Sequence, residues 1–313
     1  MNGHTVIVSA IRDVGAGVRE VTVSAKNGLE LPHWSPGAHV DLHLSPGMTR
    51  QYSLTGEADA RDWRIAVLRE PASRGGSAYV HEQLQVGHVL ETSEPRNHFE
   101  FDAEPDVILI AGGIGITPMV PMLRDADRLG LNWRLLYGGR SASSMAYSQE
   151  LLARFGDRVI LWPQDSHGLL PLEKLLDGID ARAGVYVCGP PPLIDAVYAA
   201  CERGGSGATI HSERFTPVEV DADGDTAFDV ELARSGLILS IEPGESVLER
   251  VNAAGVFAAS SCGEGTCGAC ETAVIDGDVD HRDSVLSAPE RAANDCMMIC
   301  VSRSQGSRLV LDL

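Results

Sequence analysis

The chain has 313 residues and only two lysines, Lys26 and Lys174. Its formal net charge is −19. A surface this poor in positive charge excludes nucleic acid and an anionic membrane as partners, because both are bound through clustered cations. The acidity serves either solubility or docking on a basic protein. Aromatic residues make up 5% of the sequence. There is no uninterrupted apolar run of about 18 residues, so no membrane-spanning helix is expected. The first residues, MNGHTVIVSAIRD, lack a charged stretch followed by an apolar one, so no secretory signal is expected and a cytoplasmic location is the default reading. Disulfides are not expected either: the cysteine count is seven, an odd number, at positions 188, 201, 262, 267, 270, 296 and 300.

What the chain does have is ample apolar character, 44% of residues, and clear changes of pattern along its length. At ordinary domain sizes this length makes two or three domains. Residues 1–103 alternate with period two through HTVIVSAIRDV, REVTVSAK, HVDLHL, RQYSL and DWRIAVLRE, broken by Pro-Gly, Asn-Gly and Gly-Gly. That pattern predicts an antiparallel β-barrel. Residues 104–216 switch to strands alternating with helices, which predicts a doubly wound parallel sheet. In its first helix, TPMVPMLRDADRLG, Thr117 reads as N-cap, Pro118 as the first helical residue and Gly130 as the stop. The segment SMAYSQELLARFG reads as a second helix. The polar, acidic stretch 217–226 reads as a linker. Residues 227–313 begin with a hairpin turning at Ser235-Gly236, continue into a helix and end on strands.

Three cysteines crowd into SSCGEGTCGACETAV, spaced Cys262-x4-Cys267-x2-Cys270, with Cys296 and Cys300 about thirty residues on. This is the plant-type spacing for a [2Fe–2S] cluster. Two bridged irons need four thiolates in a small volume, and Gly263, Gly265 and Gly268 let the backbone wrap them closely. A structural zinc site would favour two Cys-x2-Cys pairs, and here there is one. Free core cysteines are the other alternative. By spacing alone, Cys296 and Cys300 compete for the fourth position.

Two further loops carry chemistry. VILIAGGIGITPM leads from a strand into a helix through Gly112, Gly113 and Gly115, which suits a pyrophosphate at a helix N-terminus. Cys188-Gly189-Pro190 ends another strand, on the edge where an open sheet binds its ligand. In the barrel, Tyr52 and Ser53 suit a flavin ring, while Arg50, Arg74, Gly75, Gly76 and Ser77 suit a phosphate. A barrel-core aromatic is the plain alternative for Tyr52. Arg140 and Ser141 follow the strand NWRLLYGG, where an adenosine ribose would lie, and could hold a 2′-phosphate.

With these motifs together, R-x-Y-S at 50–53, G-G-x-G-x-T-P at 112–118 and C-G-P at 188–190, the chain resembles the ferredoxin–NADP reductase superfamily. With its C-terminal ferredoxin-like segment it resembles the phthalate dioxygenase reductase family, which includes vanillate O-demethylase reductases. The resemblance covers nearly the whole chain. It implies a β-grasp fold for 227–313, Cys300 as the fourth ligand within MMICVSR, and FMN as the flavin. NADH is the implied hydride donor, and a Rieske-type terminal oxygenase the implied acceptor. It also implies that Phe215, in HSERF, packs on the flavin, that Ser53 bonds near the flavin N5 and that Cys188 lies near the carbon giving up hydride. Gln51 departs from the small residue usual at its place, which leaves that ring contact open. The chain is expected to work as a monomer. A reductase serving a cytochrome P450 or a diiron oxygenase, and a non-catalytic redox sensor, are the alternatives.

Overall fold

A computed structural model describes residues 3–218 and 222–313. Part of the stretch read as a linker, residues 219–221, therefore lies outside the described residues. The chain divides into two compact units, Met1–Phe215 and Thr216–Leu313.

The first unit opens with strands β1 (Gly3–Gly15), β2 (Val18–Ala25), β3 (His39–Ser45), β4 (Met48–Ser53) and β5 (Trp63–Leu68). Helix α1 (Gly76–Glu82) and strand β6 (Val89–Ser93) follow. The strands pair antiparallel in the order β4-β3-β6-β1-β2-β5, and a bridge between Leu54 and Ile65 joins the two ends into a barrel. Its interior is filled by alternate residues such as Val6, Val8, Val21, Val40, Leu42 and Trp63. Helix α1 is not among the elements that the sequence pattern indicates. Two glycines at its start hide a helix that is short and ends at Glu82.

The same unit continues with β7 (Asp106–Gly112), α2 (Ile116–Arg128), β8 (Asn132–Gly139), α3 (Ser148–Phe155) and β9 (Val159–Pro163). Two single turns, α4 (Gln164–His167) and α5 (Leu172–Leu175), lead to β10 (Gly184–Cys188), α6 (Pro191–Gly204) and β11 (Thr209–Glu213). The sheet is parallel, ordered β11-β10-β7-β8-β9. Strand β10 is wholly buried and β7 is buried from Val107 onward, as expected of strands covered on both faces. Two helix starts differ from the sequence reading. Helix α2 begins at Ile116 after a 3-10 turn over Gly113–Gly115, so Thr117 lies inside it, buried, its hydroxyl donating to the Ile114 carbonyl at 2.9 Å. Helix α3 begins only at Ser148, because Tyr147 takes a left-handed φ of 61°. Gly130, with φ 70°, ends α2 as expected.

The second unit holds β12 (Phe228–Leu232), β13 (Leu237–Ile241), α7 (Val247–Ala253), β14 (Glu271–Asp276), β15 (Val279–Asp280), α8 (Ala288–Ala293), β16 (Cys296–Met298), β17 (Arg303–Ser304) and β18 (Arg308–Leu311). Five strands form a mixed sheet, β13-β12-β18-β14-β16, with β12 and β18 parallel; β15 and β17 pair separately. Helix α7 starts at a capping box, Ser246 with Glu249, and buries Val247, Leu248 and Val251 against Phe228, Val230 and Met298 in the core.

Candidate active site and cluster loop

In the parallel sheet, β7 and β10 are neighbours, with Cys188 opposite Ala111. The chain leaves β7 toward β8 and leaves β10 toward β11, on opposite sides. The two loops therefore diverge at the topological switch point, where open α/β sheets bind ligands. Their backbones touch. A Cβ on Gly115 would lie 2.2 Å from the Cys188 carbonyl oxygen, and one on Gly112 would lie 2.7 Å from the ring of Pro190. Gly112, Gly115, Cys188, Gly189 and Pro190 thus pack as one pair of loops, with Gly112, Gly115 and Cys188 buried in the contact, while Gly113 is left-handed (φ 55°) with open space around it. Arg140, exposed, follows β8, the next strand in the sheet, and its carbonyl accepts from the Asp165 amide at 3.0 Å.

On the strand beside Cys188 stands a residue the sequence reading passed over. Glu213 ends β11 opposite Cys188. Its Oε2 is enclosed with no hydrogen-bond partner, and burial pushes the carboxyl up to about 8. The Cys188 thiol is raised as well, by burial first and then by Glu213. The motif HSERF placed Glu213 two residues before Phe215, but its isolation comes from the parallel pairing of β10 with β11. Phe215, 41% exposed, is the last residue of the unit.

In the barrel, the pleat of β4 divides the R-x-Y-S run. Arg50 and Tyr52 pair with Leu42 and Val40 and share their face; Gln51 and Ser53 pair with Asp41 and His39 on the other. Tyr52 packs against the barrel core, and burial raises its hydroxyl to about 12. Ser53 is buried. Gln51 donates to Asp41 at 2.9 Å. Arg50 donates to the carbonyls of Thr49 (2.7 Å) and Arg74 (2.5 Å), and a Cβ on Gly76 would lie 2.6 Å from its side chain. The structure thus presses Arg50 onto the Arg74–Ser77 segment. Within it the Gly75 amide is taken by Ser73, and the Ser77 hydroxyl accepts from the Glu70 amide.

In the second unit, the thiols of Cys262, Cys267, Cys270 and Cys300 form a chain in which each lies within hydrogen-bonding reach of at least one other. Cys262 contacts Cys267 and Cys300, and Cys300 contacts Cys270. The Cys262 thiol is held low by the Cys267 and Cys300 thiols beside it. The Cys262 sulfur accepts from the Glu264 amide at 3.3 Å, so backbone N–H groups do point at sulfur. Gly263, Gly265 and Gly268 all sit near φ 70°, and a Cβ on Gly265 would lie 2.6 Å from Val301. Cys296 lies instead on β16 opposite Ala273, its thiol raised to about 11 by burial and then by Glu271. A set of four thiols held by left-handed loop residues and amide donors fits a [2Fe–2S] cluster.

Comparison with known proteins agrees with this geometry. Residues 230–305 match the 2Fe-2S iron-sulfur cluster binding domain, and residues 109–199 the oxidoreductase NAD-binding domain. The chain is 42% identical, over 98% of both lengths, to the putative toluene-4-sulfonate monooxygenase system reductase subunit of Comamonas testosteroni. The solved phthalate dioxygenase reductase superposes with a TM-score of 0.72 at 33% identity, covering 100% of this chain and 98% of that one. An intact type IV self-sufficient cytochrome P450 monooxygenase superposes with a TM-score of 0.93 at 38% identity, covering 99% of this chain and 41% of that one. The chain belongs to the family of reductase components of oxygenase systems: it is an electron-transfer oxidoreductase with an NAD-binding domain and a [2Fe–2S] ferredoxin domain.

Proposed function

We propose that the chain carries electrons from NADH through FMN and a [2Fe–2S] cluster to the Rieske-type terminal oxygenase of an aromatic oxygenase or O-demethylase system. In this reading residues 1–103 bind the flavin, 104–216 the nucleotide and 227–313 the cluster, with 217–226 as linker. When bound, the flavin accepts a hydride and releases its electrons singly, which suits a one-electron cluster. The chain's own residues align the partners. Gly112, Gly113 and Gly115, with Gly189 and Pro190, form the cradle for the dinucleotide, Thr117 braces its turn from within through the Ile114 carbonyl, and Cys188 lies beside the nicotinamide. Arg50, Arg74, Gly75, Gly76 and Ser77 hold the FMN phosphate. Gln51, Tyr52 and Ser53 line the ring and Phe215 packs on it. Cys262, Cys267, Cys270 and Cys300 ligate the cluster.

The observation that carries this reading is the interlocked pair of loops at the β7/β10 switch point, in a chain that also gathers four thiols. NADH-driven reduction of cytochrome c by the purified protein tests it: turnover separates a reductase from a redox sensor, which would show none. Denaturation should release FMN; chromatography finding FAD would place the chain in a neighbouring subfamily. NADH should be preferred over NADPH, since Arg140 and Ser141 have no second cation close in sequence; comparable kcat/KM for the two would overturn that. The likeness to the self-sufficient P450 favours a second reading of the acceptor, a haem oxygenase. Reduction assays with a Rieske and a P450 component, side by side, decide between them. The protein is proposed to act as a monomer in the cytoplasm; among the described residues no helix is long and apolar enough to cross a membrane.

A further inference from the structure

The second unit exposes one large aromatic close to its cysteine loop, and its backbone forces that exposure. Helix α7 ends at Ala253, and Gly255 follows with φ 80°. The Gly255 amide donates to Asn252 O at 3.0 Å and the Val256 amide to Val251 O at 3.2 Å. This left-handed closure draws Val256 back against the core. Ala258 is buried in the same core. Phe257, pinned between two inward neighbours, points out and is 75% exposed. Fraying does not account for it, because the residues on both sides are anchored.

Its setting is unusual for this surface. Residues 225–313 carry 15 acidic residues against six arginines and no lysine, a net −9, yet residues 251–263 carry no charge at all. Glu249 and Arg250 precede this neutral stretch and Glu264 follows it. An uncharged centre that exposes a large aromatic, within an acidic unit, has the charge depletion of an interface core, and a large aromatic is the usual anchor. Phe257 is five residues from Cys262, so their Cα atoms are at most about 18 Å apart.

We propose that Phe257 anchors the surface by which the ferredoxin unit docks on its electron acceptor, a redox protein whose face has an apolar depression inside a basic rim. The proposal rests on the electron-transfer reading above and names the acceptor's side of it. NADH yields NAD+, a proton and two electrons. One electron crosses per encounter, reducing the acceptor's metal by one unit, and no bond forms or breaks in the docked pair.

The test uses the full-length holoprotein and oxidised cytochrome c, a basic haem protein, as the probe. Phe257→Ala should weaken cytochrome c binding at low ionic strength at least fivefold and lower kcat/KM for its reduction by a similar factor. Ferricyanide reduction and the visible absorbance of the cluster should stay within twofold of wild type, since an exposed side chain supports neither. Phe257→Trp should retain binding. Binding of Phe257→Ala within twofold of wild type overturns the proposal. Wild-type protein that binds cytochrome c without reducing it from NADH overturns the functional reading instead.

Discussion

At the scale of single residues, two cysteines four apart have different surroundings. Cys300 lies in contact with Cys262 and Cys270, whereas Cys296 sits on a strand beside carboxylates. Serine is a poor substitute for a soft thiolate ligand. Cys300→Ser should therefore lose or loosen the cluster and abolish cytochrome c reduction, while NADH still reduces ferricyanide through the flavin. Cys296→Ser should keep cluster absorbance and both activities. The reverse pattern would move the fourth ligand to Cys296. Glu213 makes a different prediction. Its carboxyl is raised from 4.5 to about 8, so between these values the folded state holds a proton that the unfolded state has released. Its contribution to stability is full below about pH 4.5 and is lost as pH rises through about 8, at up to ~1.4 kcal/mol per pH unit. Glu213→Gln, which cannot ionise, should flatten that part of the pH–stability curve in urea titrations; an unchanged slope would show that Glu213 ionises freely.

At the scale of elements, the β7–α2 turn works because its backbone touches the loop after β10. Gly115→Ala would put a methyl 2.2 Å from a carbonyl oxygen that belongs to backbone and cannot swing away. The expected result is a loss of about 1–3 kcal/mol in stability together with at least a tenfold rise in KM for NADH, read by denaturant titration and steady-state kinetics. Ferredoxin absorbance should be unchanged, since that domain lies in the other unit. The glycine pattern was legible from sequence. Its cause was not: the sequence suggested glycines for a ligand's approach, and the structure adds that Gly112 and Gly115 are also required by their protein neighbours. Similarly, Thr117 read as a cap because Thr-Pro commonly starts helices, but the preceding 3-10 turn moved the start to Ile116 and turned the hydroxyl inward.

At the scale of the whole molecule, the first unit is held as one body by a network that crosses from barrel to parallel sheet. The Tyr147 hydroxyl donates to Glu20 at 2.8 Å, and Glu20 is also held by Arg12, which reaches Glu150. Tyr147 is buried with its amide bonded to Val14. Tyr147→Phe removes the bond to a buried carboxylate that keeps its arginine, and a longer contact with Thr55 at 3.5 Å, so a loss of about 1.5 kcal/mol is expected, visible as a lower thermal midpoint of this unit. Charge acts at longer range. The net −9 of residues 225–313 should speed encounter with a basic acceptor at low salt, and screening should remove that gain as ionic strength rises toward physiological values, where charge reaches about 8 Å. Cytochrome c reduction should fall with salt while ferricyanide reduction does not. A flat response of both would leave the charge a role in solubility alone.

The local code of this chain was sufficient for its class. Periodicity of two, then alternation of strand and helix, then Cys-x4-Cys-x2-Cys are short-range patterns, and each maps onto one element or one loop. Four motifs agreeing in one order made the family legible. What only the tertiary structure decided depends on contacts between residues far apart in sequence. Spacing could not say which of Cys296 and Cys300 lies against the loop at 262–270; β16 pairs Cys296 with β14 and carries Cys300 beyond its end to that loop. Nor could the sequence isolate Glu213 opposite Cys188, split R-x-Y-S between two faces of β4, or turn Phe257 outward by anchoring both of its neighbours. Each follows from strand register or helix closure, where backbone hydrogen bonds fix which way a side chain must point.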